Sequence, residues 1–217
     1  KSKCTIVAVF ISKSSYRNVI EELKPENNVT AVFSDPSPSR QVALTRALIG
    51  KKASIGVISS PSREATIEEV EAAAEALSVS VQIVSILENK TADKLIKSLG
   101  NNKALLLYKD KELFDAIPLD KLVDLAYDLN NLGLIGYSSG VVEEGGLATT
   151  YTSLSDTVKS TAEIIIEIQG EERIPPADYS THYSIEINKY VMRSLELQER
   201  KEKEVRERIG LLLGEGI

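Results

Sequence analysis

Short apolar runs rich in Val and Ile alternate along this chain with segments in which apolar residues recur every three or four positions. That alternation predicts successive βα units around a mostly parallel sheet. Strands are expected at Thr5–Ile11, Val29–Phe33, Ser54–Ile58, Val79–Ile86, Ala104–Tyr108, Leu132–Tyr137, Leu147–Thr152 and Tyr183–Asn188. Helices are expected at Tyr16–Leu23, Pro38–Ile49, Thr66–Leu77, Ala92–Leu99, Leu119–Asn130 and Ser155–Gln169; Ile67, Val70, Ala74 and Leu77 illustrate the spacing. Thr66 and Glu69 have capping-box spacing, and Gly50, Gly100 and Gly170 mark expected helix ends. Ile174-Pro175-Pro176 predicts an extended linker, and the charged segment Gln198–Arg208, with Val205, Ile209 and Leu212 as its stripe, a solvated helix packing weakly on the body.

Composition narrows the function classes. The 217 residues suffice for one large domain or two small lobes. With 26 Lys and Arg against 32 Asp and Glu, the net charge of −6 argues against a nucleic-acid partner, whose phosphates demand clustered positive charge. No apolar run is long enough to cross a bilayer. One cysteine (Cys4) and one histidine (His182) supply no intrachain disulfide and no zinc spacing, so no metal is expected, and no cofactor or catalytic residue is expected either. The chain opens at Lys1 without a basic n-region, an apolar h-region or a cleavage site, which leaves a removed leader and an omitted N-terminal part as the two readings.

In open parallel sheets, ligands bind at the carboxyl ends of strands, among loops and helix N-termini. Those positions here are crowded with hydroxyls: Ser34-Asp35, Ser59-Ser60-Pro61-Ser62, Lys109-Asp110, and Ser138-Ser139. Each of them has an ordinary reading as a helix N-cap. Together they suit a small carboxylate-bearing or polyhydroxyl ligand, with Tyr16, Tyr137 and Tyr151 either covering its apolar parts or belonging to the core. Asp110 reads equally as an acceptor for a ligand ammonium and as a solvated turn residue paired with Lys109 or Lys111. No G-x-S-x-G elbow, S-x-x-K pair or phosphate loop is present, so the chain is not expected to be an enzyme. His182 is expected to be structural.

Several stretches resemble one family. Val32-Phe33-Ser34-Asp35-Pro36, Arg40–Leu48, Ile55–Ile58, Gly136-Tyr137-Ser138-Ser139 with Gly145–Thr149, and Tyr183–Asn188 with Ser194–Leu197 are similar to ABC-transporter substrate-binding proteins of the tryptophan/phenylalanine-binding group. The resemblance implies a type I periplasmic-binding-protein fold: two parallel-sheet Rossmann-like lobes joined by three crossings and closing on a ligand. It maps one lobe onto 1–50 plus 149–176 and the other onto 51–148 plus 177–217, with crossings near 50–53, 146–149 and 175–177. It assigns ligand contacts to Ser34, Asp35, Ser59, Ser60, Ser62, Asp110, Ser138 and Ser139, with Asp110 taking an amino group and the hydroxyls a carboxylate.

The same resemblance implies an extracytoplasmic location, a small-molecule ligand and an ABC permease partner. Three departures stand out. The loop after Ser59 lacks the family's Asn residues, Lys109 and Lys111 flank Asp110 and blunt its attraction for an ammonium, and the strand–helix–strand portion that usually precedes the match to Thr5–Phe10 is missing, leaving a first lobe of about three strands. Two functions therefore stand beside each other: a solute-binding component of an uptake system, or an interaction or sensor module that has lost ligand capture and forms a homodimer.

Overall fold

The structure, a computed structural model, describes residues 4–23, 28–87, 91–171 and 173–215; Lys1 lies outside them. Along the chain run β1 (Ile6–Ile11), α1 (Lys13–Leu23), β2 (Val29–Phe33), α2 (Pro38–Ile49), β3 (Ser54–Ser59) and, after a 3-10 turn at Pro61–Arg63, α3 (Glu64–Ala76). Then come β4 (Ser80–Ser85), α4 (Ala92–Ser98), β5 (Ala104–Leu106), α5 (Lys111–Ala116), α6 (Leu119–Asn130), β6 (Gly133–Ile135) and α7 (Ser139–Glu143). The chain continues through β7 (Ala148–Tyr151), α8 (Leu154–Glu171), β8 (Asp178–Tyr179), β9 (Ser184–Ile187), α9 (Lys189–Ser194) and α10 (Glu202–Leu213). The predicted alternation is therefore present.

The differences are local. Thr66 lies inside α3, which starts two residues earlier, so Thr66–Glu69 is not a capping box. Gly170 lies within α8 rather than ending it. The expected linker after Pro176 contains β8, a two-residue strand whose pairing to β2 no local pattern signals. The short helices α5, α7 and α9 also escape a periodicity reading because they hold fewer than two full turns. The charged C-terminal helix packs firmly: Val205 and Ile209 are fully buried, and α10 lies against α2. Burying two such side chains stabilises by about 1.5–3 kcal/mol each, enough to fix a helix whose other faces are solvated.

The chain divides into two compact units, Lys1–Pro36 with Tyr151–Ser184, and Ser37–Thr150 with Ile185–Ile217. The crossings thus fall at 36/37, 150/151 and 184/185; the first and third lie away from the positions near 50–53 and 175–177 that the resemblance implied, and the second adjoins the implied 146–149. α2 accounts for the first difference. Its Val42, Ala43, Leu44, Ala47 and Leu48 are buried and it packs on α3 and α10, so residues 37–50 belong to the second unit. The pairing of β8 with β2 accounts for the third by keeping the chain in the first unit past Pro176.

The first unit is built on a parallel three-stranded sheet, order β1-β2-β8, with Ile6 opposite Val29 and Phe33 opposite Tyr179. β1 is an edge strand of wholly apolar sequence, and Ile6 and Phe10 on it are exposed. α8 begins with a reciprocal cap in which Ser153 N–H and Oγ–H donate to Asp156 Oδ2 (3.0 and 2.6 Å) while Asp156 N–H donates to Ser153 Oγ (3.2 Å).

The second unit carries a six-stranded sheet, order β4-β3-β5-β6-β7-β9. β3 pairs in parallel with β4 and β5, and β6 with β5 and β7. Three of its inner strands, β3, β5 and β6, are built around apolar runs, as sheets covered on both faces require, whereas β7 reads Ala-Thr-Thr-Tyr with both threonines buried. Ile58, Leu95, Leu99, Leu105, Leu113, Leu122 and Leu134 form one buried cluster that joins α4, α5 and α6 to the sheet.

Candidate functional site

Four adjacent strands of the second unit, β4-β3-β5-β6, end on one rim of the sheet. Their carboxyl-terminal loops hold Ser85, Ser59 to Ser62, Asp110, and Ser138 with Ser139. The structure therefore brings together the second-unit residues that the sequence singled out. Ser59 and Ser85 face each other in register at the ends of β3 and β4. Both line a cavity of about 470 Å³ with Ser60, Glu64, Glu68 and Glu71. Ser60 is buried and its hydroxyl lies 2.9 Å from that of exposed Ser62.

Asp110 is not a solvated turn residue: it is 2 % exposed. Its Oδ1 caps α5 by accepting from Leu113 N–H at 3.2 Å. The flanking lysines do not pair with it; Lys111 pairs with Asp115, and Lys109 contributes its carbonyl to Arg63. That Arg63 tie, between the loop after β3 and the loop after β5, had no signal in the sequence because it depends on which strands are neighbours. Beside it, burial first and the Glu69 charge second push the Tyr108 phenol far above its ordinary value, and its hydroxyl has no hydrogen-bond partner among the described residues.

Tyr137 is half-buried, its ring 5.6 Å from Phe114, and burial raises its phenol. The Ser138–Ser139 loop leaves β6 at Gly136, where a Cβ would stand 2.5 Å from Val141 Cβ, so only glycine lets α7 fold back over the strand end. Ser138 and Ser139 open α7, and no side-chain cap bond engages Ser138.

In the first unit, Ser34 and Asp35 follow β2. Ser34 is exposed and its N–H donates to Ile11 O at 3.0 Å; Asp35 Oδ2 accepts from Lys13 N–H at 2.7 Å. Tyr16, Phe33 and Tyr179 stack beside them with centroids 5.5 and 5.6 Å apart, and Lys13 Nζ lies 4.8 Å from the Tyr179 ring. Tyr16 thus takes part in an aromatic cluster that a single-residue reading could not assemble. His182 donates or accepts at Nε2 with Glu163 Oε1, 2.7 Å away, and this bond, with a second from Thr181, holds the Glu163 carboxyl below its ordinary value. Among the described residues no group of three or more His, Cys, Asp and Glu side chains could hold a metal, and no helix is long and apolar enough to cross a membrane.

Two α/β units with parallel sheets, each presenting hydroxyl-rich loops at its strand ends, are of the type I periplasmic-binding-protein kind. The family model of the ABC transporter substrate binding proteins matches residues 4–206, and the chain belongs to that family, whose members are periplasmic or extracellular binding proteins. Solved structures share the fold. The ABC domain in complex with L-Trp from Streptococcus pneumonia superposes with a TM-score of 0.65 at 21% identity, over 96% of this chain and 73% of that one. A ligand-free, open substrate binding protein with adhesive properties from Clostridium difficile gives 0.67 at 21%, over 92% and 68%. A conserved domain protein from Vibrio cholerae gives 0.61 at 17%, over 83% and 62%. No curated protein sequence matches.

Proposed function

We propose that this chain is the non-enzymatic solute-binding component of an ABC-type uptake system. It captures a small ligand, an amino acid, by hinge closure of its two units outside the cytoplasm and delivers it to a permease. The observation that carries this reading is the second unit's rim. Ser60, Ser62, Asp110, Ser138 and Ser139 end neighbouring strands there, so hydroxyls and helix N-termini that suit a carboxylate stand beside a carboxylate that suits an ammonium. Ser59 completes the same loop, and Ser34 and Asp35 are the first unit's contribution. The L-Trp in the pneumococcal relative makes amino acids the first class to try.

The test is thermal unfolding against a panel of L-amino acids, with sugars and dicarboxylates as other classes. A ligand held only by the folded state at a hundred times its Kd stabilises by about 2.7 kcal/mol, which for a chain of this size is roughly 5–10 °C in Tm. A folded chain that no panel member shifts would sink the reading.

A second reading, an interaction module that forms a homodimer, is favoured by one observation. The edge strand β1 reads IVAVFI without a charge or proline, and Phe10 on it is 64 % exposed, whereas edge strands usually carry such guards against pairing.

A further inference from the structure

Within the second unit, the side chain of Arg63 joins the hydroxyl turn at 59–62 to the segment that carries Asp110. β3 and β5 pair directly, so the stretches leaving their carboxyl ends are neighbours. Beyond Leu107, whose N–H donates to Ile135 O at 2.9 Å, the chain after β5 leaves the sheet and reaches Asp110 through Tyr108 and Lys109. Arg63 crosses to it there: its Nη2 donates to the Lys109 carbonyl, in the peptide group that immediately precedes Asp110. Arg63 is itself anchored in the hydroxyl turn, since its N–H donates to Ser60 O at 3.0 Å and it closes the 3-10 turn that holds Ser62. Asp110 in turn directs the start of α5, accepting from Leu113 N–H on Oδ1 at 3.2 Å and from Phe114 N–H on its carbonyl at 3.1 Å.

Stability alone does not explain the arrangement. Arg63 Nε is buried with no hydrogen-bond partner among the described residues, and a buried donor left unpaired on a cation costs about as much as one bond from that cation returns. What the bond does supply is direction. A guanidinium is planar and offers its donors in a fixed fork, so holding the Lys109 carbonyl orients the peptide from which Asp110 departs. We infer that Arg63 is a positioning residue for ligand capture: by holding the Lys109 carbonyl it fixes the spacing between the hydroxyls after β3 and the carboxylate of Asp110, and so selects ligands whose ammonium and carboxylate share one carbon. The inference rests on the reading that this rim takes an amino acid. It deepens that reading by naming the class, α-amino acids in preference to isomers whose ammonium stands further along the chain, because a site fixed in geometry rejects a polar group it cannot reach.

The experiment compares wild type, Arg63→Met and Arg63→Lys as full chains in two measurements. The first needs no ligand: native-state amide exchange at Leu113 and Phe114, which report how Asp110 is seated, with the Leu107 amide as the reference in the sheet. In Arg63→Met, Leu113 and Phe114 should exchange at least about tenfold faster, the factor that loss of a charge-assisted bond implies, with Leu107 unchanged. Arg63→Lys, which keeps the charge and a donor, should lie between. The second measurement is calorimetric titration with two pairs of isomers, L-phenylalanine with β-phenylalanine and L-α-aminobutyrate with γ-aminobutyrate. Wild type should favour the α isomer by about tenfold or more, and Arg63→Met should bring the two to within about threefold of each other; a merely structural role would weaken both alike. Loop amides that exchange at the wild-type rate in Arg63→Met overturn the inference. So does a Leu107 amide accelerated by the same factor, which means a loosened sheet, and so does an unchanged isomer ratio in a chain whose loop amides have sped up. Should Arg63→Met not fold, Arg63→Lys carries both measurements. A wild-type chain that binds no isomer of either pair sinks the reading of the rim and the selectivity with it, while the exchange rates still decide whether Arg63 seats Asp110, so the two failures are told apart.

Discussion

Asp110 caps a helix, and we propose that it also receives a ligand's ammonium; one substitution series tells the two roles apart. Its Oδ1 caps α5 through Leu113 N–H, 3.2 Å away, while no hydrogen bond to its Oδ2 occurs among the described residues. Asn is as good an N-cap as Asp, so Asp110→Asn should change folding stability by less than about 0.5 kcal/mol, whereas Asp110→Ala loses the cap and should cost about 1 kcal/mol. Binding should follow the opposite logic. A hydrogen bond to a charged group contributes about 1.5–3 kcal/mol, so replacing the carboxylate facing a ligand ammonium should weaken an amino acid by roughly 10- to 150-fold at 1.4 kcal/mol per decade. Urea denaturation gives the first quantity, and calorimetric titration with whichever amino acid raises Tm gives the second. If Asp110→Asn binds as tightly as wild type while Asp110→Ala loses only the cap energy, Asp110 is a helix cap and nothing more, and the ammonium site must lie elsewhere.

Two further outcomes are expected. Burial pushes the Asp156 carboxyl up, but hydrogen bonds from Ser153 and Ser184 outweigh it and hold the group below its ordinary 3.8. A depressed carboxyl contributes stability that is present above the unfolded value and lost as pH falls through the folded one. Asp156→Asn should therefore cost about 1–2 kcal/mol at pH 7, with the gap to wild type narrowing below about pH 4; denaturant midpoints that stay equally far apart at pH 3 would contradict this. If a second copy docks on the β1 edge, light scattering should show a mass that doubles with concentration and returns to monomer in Phe10→Lys. A monomer at every concentration removes the homodimer.

The alternation of strands and helices was legible because it is local: the inner strands β3, β5 and β6 are built around apolar runs, and helices such as α2, α3 and α6 carry their own periodicity. What failed to show was set by tertiary pairing. β8 is a strand only because Val32 and Phe33 lie beside it, and no feature of Asp178-Tyr179 announces that. The firm seating of α10 has the same origin: Val205 and Ile209 are too few to predict burial until α2 supplies the surface they cover. The crossings were displaced for that reason too, since α2 belongs to the unit its buried face packs on, not to the strand it follows in sequence.

The candidate site divides along the same line. Serines and Asp110 could be placed at strand ends from the sequence, because a strand's end is a local property and the sheet's carboxyl rim follows from parallel topology. Gln41 and Arg63 could not. Gln41 bonds to positions about a hundred residues away from it, and Arg63 reaches a backbone carbonyl in the loop after a strand that neighbours its own only in the folded sheet. The residues proposed to touch a ligand stand out by type and loop, whereas Gln41 and Arg63 are bonded to distant backbone groups and look, in sequence, like any other polar side chain. Gln41 is the clearest instance: read alone it is a polar residue near a helix start, and only the carbonyl of Gly136 and the N–H of Thr150 explain why a fully buried position carries an amide.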